Sequence, residues 1–251
     1  MSGQQADAAG LRLLVVGASS GIGHAVAASA AARGAKVAVA ARRMDLLTDL
    51  AKTIDGTAHE LDVSDSQAAV DAAVSDAAEA LGGLDAVVFT STVIPFAHVG
   101  DTEVSTFVHA FSVNTLGANN VIRAALPHLS KHGVLMIASS GDVGRPRVGV
   151  AAYAASKAAL DEMLRSWRSE HPELSIMRVG MGPTKDTEIL RGADRDLLSQ
   201  LIKSWVTQGA LPERMSELGD VANTLVSLVT MAHANPTVVA ESVQLASRLT
   251  Q

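Results

Sequence analysis

The single tyrosine of this 251-residue chain, Tyr153, stands four positions before Lys157 in AAYAASKAAL, residues 151–160. On a helix, residues four apart share a face, so a phenol and an ammonium would open toward the same space. A free phenol titrates near ~10, and a cation about 4 Å away at an effective dielectric of ~20 would favour its ionised form by ~4 kcal/mol, about three pKa units. That predicts a phenol drawn toward neutrality, able to give a proton to a carbonyl oxygen and to take one from an alcohol. The alternative is a tyrosine packed by its ring beside a lysine that snorkels to water.

A second chemical feature lies near the start. In VVGASSGIGHAVA, Gly17, Gly21 and Gly23 follow an apolar run and precede an alanine-rich helical pattern. Such a turn lets backbone N–H groups and a helix N-terminus approach a pyrophosphate. Ser19 and Ser20 add hydroxyl donors, and Ile22 lies within the same turn. The spacing G-x-x-x-G-x-G differs from the commoner G-x-G-x-x-G. After the second apolar run the chain reads AARRMD. A carboxylate at that point would bind a free ribose and repel a 2′-phosphate, but here Ala41 leaves space, and Arg42 with Arg43 can clamp a phosphate. This favours NADP(H) over NAD(H), the alternative being two solvated arginines capping a strand. Asp62, followed by Val63, either accepts from an adenine amino group or only begins a turn.

Other chemistries find less support. His98, His109, His128, His132, His171 and His233 show no metal-ligand spacing, G-x-S-x-G spacing occurs only inside the glycine turn as GASSG (17–21), and no G-x-x-x-x-G-K-[ST] loop occurs. The absence of cysteine removes disulfides, thiolate catalysis and sulfur-bound metals, and makes a reducing cytoplasm the simplest setting. A net charge of −6 with no basic run beyond Arg42-Arg43 argues against nucleic acid and anionic membranes as partners. MSGQQADAAG lacks the features of a signal peptide, so residues 1–10 are expected to be a short mobile tail.

These groups need a scaffold. Aromatics make up only 3% of a chain that is 48% hydrophobic, which suits aliphatic helices packed on a buried sheet. Short apolar runs at 11–16, 36–41, 58–61, 85–90, 133–140 and 174–179 read as strands, and a last apolar stretch surrounds Val243. Helical patterns lie between them: one closed by Gly34, others at 44–54, 64–81 and 102–130, the one carrying Tyr153, and one near 220–231. Strand and helix in alternation predict right-handed crossovers and a doubly wound parallel α/β sheet in one domain, residues 11–251. Ligands then bind beyond the carboxyl ends of the strands. Residues 185–214 break the rhythm with amphipathic helix patterns, either an extra layer or a lid over a substrate cleft.

Taken together, GASSGIG (17–23), LDV (61–63), SVNTLG around Asn114, IASS ending at Ser140, YAASK (153–157) and MGP (181–183) resemble the short-chain dehydrogenase/reductase family over nearly the whole chain. The resemblance implies a Rossmann-like seven-stranded sheet, a nicotinamide cofactor and a catalytic Asn114, Ser140, Tyr153 and Lys157. In those roles Tyr153 is the general acid/base, Ser140 orients the substrate oxygen, Lys157 also binds the nicotinamide ribose, and Asn114 supports a water-borne proton relay. Homodimers or homotetramers are the implied assemblies.

The chain departs from the family pattern at several points. Phe89-Thr90-Ser91-Thr92 replaces Asn-Asn-Ala-Gly after the fourth strand, leaving Thr90 and Ser91 at the cofactor and requiring a different local brace. Met181 replaces a proline, with Gly182 and Thr184 still available to the nicotinamide carboxamide; Val16 replaces a threonine, and VQLASRL replaces a terminal Asp-Gly-Gly. The expected activity is NADPH-dependent interconversion of a small carbonyl compound and its alcohol, with Ile94, Pro95, Phe96, Asp142, Val143 and Arg145 facing the substrate. The rivals are an NADP(H)-binding sensor without turnover and an enoyl reductase, a branch that tends toward a longer tyrosine–lysine spacing.

Overall fold

Seven short aliphatic runs pair side by side in the computed structural model, which describes residues 8–145, 147–212 and 214–247. They are β1 (Arg12–Val16), β2 (Lys36–Ala41), β3 (Thr57–Glu60), β4 (Leu84–Phe89), β5 (Leu129–Ser140), β6 (Ser175–Met181) and β7 (Ser242–Gln244). All pairings are parallel, in the order β3-β2-β1-β4-β5-β6-β7. The order reverses between β1 and β4, whose carboxyl ends therefore border the crevice where ligands bind in such sheets. Residues 1–7 of the expected tail lie outside the described residues.

Alternation along each strand divides the core into two layers. Leu13, Val15, Val37, Val39 and Met136 face α1 (Gly21–Ala32), α2 (Met44–Ile54) and α8 (Leu218–Ala234). Leu14, Val16, Phe89, Leu135 and Ile137 face α3 (Gln67–Leu81), α5 (Gly117–Ala125) and α6 (Ala151–Glu170). Both faces are covered, so near-continuous aliphatic strands are stable here. No helix among the described residues is long and apolar enough to cross a membrane.

Two helical readings need correction. The helix expected from residue 64 begins at Gln67, because Asp62 Oδ1 accepts from both the amide and the hydroxyl of Ser64 and holds residues 62–65 in a turn. Ser66 then caps the helix by accepting from the Ala69 amide. The helix expected over 102–130 is α4 (Val104–Phe111), a π turn (Ser112–Leu116), α5, and a 3-10 turn (Leu126–His128) containing Pro127. The proline ends the helical run, and the chain enters β5 at Leu129. Within 185–214 the structure forms α7 (Arg195–Thr207), capped by Asp194, whose carboxylate accepts from the amides of Asp196 and Leu197.

Candidate active site

The glycine turn crosses from β1 to α1 at the sheet's order reversal. Gly17 has φ +90°, in the left-handed region that side-chain-bearing residues avoid. Gly23 answers to proximity instead: a Cβ there would collide with the Gly17 carbonyl and Thr90 Oγ1. Thr90 is the brace that the altered FTST segment requires. Its hydroxyl lies 2.9 Å from the Val16 carbonyl and its amide 2.8 Å from the same oxygen, tying β4 to β1 below the turn.

A cavity of about 730 Å³ opens above these strand ends. Gly17, Ser19, Ser20, Gly21, Ile22 and Gly23 line one end, with Arg42, Arg43, Asp62 and Val63 beside them. Thr90 and Ser91 line its floor, and Tyr153 and Lys157 its far side. Gly182 and Thr184 are not part of this wall; Met181 and Thr187 line it instead, and Thr184 donates to the Gly182 carbonyl at 3.1 Å. The shape and donors fit a dinucleotide: a glycine cradle without Cβ atoms, an acid at mid-length and two cations beyond β2.

Arg43 is already engaged. Its guanidinium donates to Ser19 Oγ at 2.9 Å, to Ser20 Oγ at 2.7 Å and to Glu188 Oε2 at 2.7 Å. The side chains expected to hold phosphate are thus gathered at one point, with a carboxylate from the 185–214 insertion among them. Asp62 serves its turn and also faces the cavity. Burial acts to raise its pKa, but the Ser64 hydrogen bonds and the Arg42 charge prevail and lower it.

The four family residues converge without all touching the cavity. Tyr153 and Lys157 occupy adjacent turns of α6, and Ser140 ends β5, its Oγ accepting from the Asp142 amide at 3.0 Å. Asn114 lies within the π turn, fully buried. Its Oδ1 accepts from Thr92 Oγ1 (3.0 Å) and the Val93 amide (2.8 Å), while its Nδ2 donates to the Val93 carbonyl and to Ser156 Oγ, each at 2.9 Å. Both acceptor and both donor positions of the carboxamide are therefore filled by protein.

The phenol's electrostatics run opposite to the expectation from spacing. Burial raises the Tyr153 pKa to about 12; the Ser140 hydroxyl opposes this, Asp142 adds to it, Arg147 opposes it and Asp161 adds to it. The lysine is itself buried, at 1% exposure, and Nζ donates to the Ala138 carbonyl at 2.8 Å. Burial lowers Lys157 to about 7, against the pull of Asp161. Spacing placed the two groups on one face but carried no information about their desolvation, which dominates here.

On the substrate side, Ile94 and Phe96 pack with Val150, Tyr153, Leu201 and Trp205. Trp205 donates from Nε1 to the Val148 carbonyl at 2.8 Å, and Arg147 lies 4.5 Å over its ring while pairing with Asp142 at 2.6 Å. The expected pocket residues Ile94 and Pro95 line the cavity. Arg147 escaped the sequence reading, whereas Trp205 belongs to the amphipathic pattern of 185–214 that was expected to form an extra layer or a lid.

Residues 12–197 match the short chain dehydrogenase family. Glycine betaine reductase ATRR of Emericella nidulans is 30% identical over 85% of this chain, which spans only 17% of that protein's length. Versicolorin reductase of the same organism is 35% identical over 61% of this chain and 60% of its own length. A solved short chain dehydrogenase from Burkholderia cenocepacia, in complex with NADP, superposes with a TM-score of 0.76 at 25% identity, covering 96% of this chain and 98% of that one. With the strand order, the glycine turn and the tyrosine–lysine helix in place, the chain belongs to the short-chain dehydrogenase/reductase family of oxidoreductases.

Proposed function

We propose that the protein is an NADP(H)-dependent oxidoreductase that interconverts a carbonyl and an alcohol. The observation that carries this is one continuous cavity with the glycine turn and Arg42–Arg43 at one end and Tyr153–Lys157 at the other. Ala41 in place of an acid, the two arginines and the NADP-bound relative support the phosphorylated cofactor. Held between the glycine turn with Arg42–Arg43 and the Tyr153–Lys157 end of the cavity, NADP(H) would supply or accept the hydride.

The chain's own residues handle the oxygen and its proton. In reduction, Tyr153 gives its phenolic proton to the substrate oxygen as negative charge develops there. A phenol titrating at about 12 keeps that proton through the neutral range and still yields it to an alkoxide, a far stronger base. Ser140 bonds the same oxygen and favours the phenolate left behind. Lys157, which titrates at about 7 in this structure, returns the proton from solvent and binds the ribose. Asn114 supports the relay by position: it fixes the Val93 segment to Ser156 of α6, and its carboxamide is not itself a water carrier. In oxidation each transfer reverses.

The apolar face of α7 over Tyr153 and Ile94 supports a lid role for the insertion. Exposed Val104, Val108 and Leu116 on one helical rod support a homodimer or homotetramer. The decisive experiment titrates NADPH and NADH by fluorescence and follows NADPH oxidation across ketones, aldehydes and quinones. Tight NADPH binding with turnover of one carbonyl class is expected; binding without turnover on any of them favours the sensor.

A further inference from the structure

We infer that Asp161 and Arg178 are positioning residues of this active site, a pair that fixes the end of β5, and with it Ser140, against the catalytic helix. The inference rests on the oxidoreductase reading above. Tyr153, Lys157 and Asp161 recur at intervals of four along α6, so the helix presents phenol, ammonium and carboxylate on one stripe. Asp161 Oδ1 accepts from Ser139 Oγ at 2.5 Å, and Oδ2 accepts from Arg178 Nε at 2.9 Å. The same guanidinium donates from Nη2 to the main-chain carbonyl of Ser140 at 2.9 Å and from Nη1 to Gln244 Oε1 at 3.2 Å. Gln244, on β7, returns a bond from Nε2 to the Gly180 carbonyl at 2.9 Å.

The strand pattern shows that this arrangement occupies otherwise apolar ground. Ser139 continues the face of Leu135 and Ile137, and Arg178 with Gly180 continues that of Ile176, both toward the layer containing α6. Gly180 has no side chain where one would strike Arg178 Nη1 and Gln244, so the guanidinium can fold along the strand. The Arg178 and Asp161 side chains are only 13% and 17% exposed. An ion pair this deep gains little stability over apolar residues of equal volume, because its desolvation offsets its attraction. What apolar residues could not do is grip the Ser140 carbonyl and the Ser139 hydroxyl together, one residue from the side chain that meets the substrate oxygen. Arginine's rigid fork suits that task and lysine's single ammonium does not. Asp161 also acts on both titrating groups, raising Lys157 and Tyr153 alike.

The test is the double variant Arg178→Met/Asp161→Leu together with Arg178→Lys, each compared with the unaltered full chain. The double variant is expected to keep its thermal midpoint and to bind NADPH within about twofold, while kcat falls about ten- to a hundredfold, as small misplacements of reacting groups do. Arg178→Lys should lose most of the same kcat. Since the chain has one tyrosine, ¹³C labelling of the tyrosine ring gives one phenolic carbon resonance, which should move in both variants. Wild-type kcat in the double variant, or an unmoved resonance, overturns the proposal. If the unaltered protein binds NADPH but reduces nothing, the oxidoreductase reading fails, and the resonance alone decides whether the pair positions the phenol.

Discussion

Lys157 Nζ donates to the main-chain carbonyl of Ala138 at 2.8 Å, bonding the lysine of α6 to β5. Burial lowers its pKa from 10.5 to about 7. Between those values the unfolded chain holds a proton that the folded chain has released, so stability rises with pH across this window, and the burial penalty is fully present below about 7. Lys157→Met, which fills similar volume without charge, should raise the thermal midpoint at pH 6, with the gain shrinking toward pH 9.5. Calorimetry at both pH values checks this; an equal gain at each would contradict it.

Tyr153→Phe removes the transferable proton and keeps the ring packed against Val150, Leu201 and Trp205. Turnover of any verified ketone should fall by about 10²- to 10⁴-fold, the range for loss of a general acid. NADPH affinity, read by fluorescence titration, should change less than about threefold, because ring packing contributes little at the phosphate end. Retained turnover would remove Tyr153 from the acid role.

Arg43 and Glu188 yield a prediction of opposite signs. Arg43→Ala should weaken NADPH much more than NADH, since it removes the cation gathered with Ser19 and Ser20. Glu188→Gln frees that cation from its carboxylate partner and should tighten NADPH by about two- to fivefold, the scale of one exposed ion pair. Raising salt should narrow the difference between Glu188→Gln and wild type. Weaker NADPH binding in Glu188→Gln would show that the carboxylate aids the cofactor.

Thr90→Val keeps the shape of the residue behind the glycine turn and deletes its hydroxyl donor. The Val16 carbonyl then keeps only the residue 90 amide, and unfolding free energy should drop by about 1 kcal/mol in denaturant titration. NADPH affinity should fall with it, because the same hydroxyl abuts Gly23 and the Gly17 carbonyl in the cradle. Unchanged stability would mean that the backbone contact alone braces the strands.

Much of this site was legible because local chemistry marks it. Lys36–Ala41 and Met44–Ile54 read correctly to the residue, since Gly34, the Arg42–Arg43 pair and Asp55 punctuate them. The glycine turn and the Tyr153–Lys157 step needed only a helix start and a helical repeat. The phenol's pKa was illegible: it depends on burial beneath Leu201 and Trp205, which come from a segment some fifty residues downstream. The Asp161–Arg178 pair was hidden for a related reason, since it joins α6 to β6 through a strand geometry that neither residue announces. Thr90 stood in plain view, but its bond to Val16 arises only when β1 and β4 become neighbours.

The π turn at Ser112–Leu116 inserts one residue more than regular α-helical geometry requires. Each α-helical residue advances the chain by about 100°, so this surplus sets the azimuth of α4 relative to α5. Buried Val113, Asn114 and Thr115 all point inward only in that phase, and Asn114 and Thr115 both reach Ser156 because of it. Leu116 is 53% exposed, yet deleting it would wind the rod tight and swing the carboxamide off its partners. At this point in the chain, the number of residues constrains the buried carboxamide as strictly as their identity.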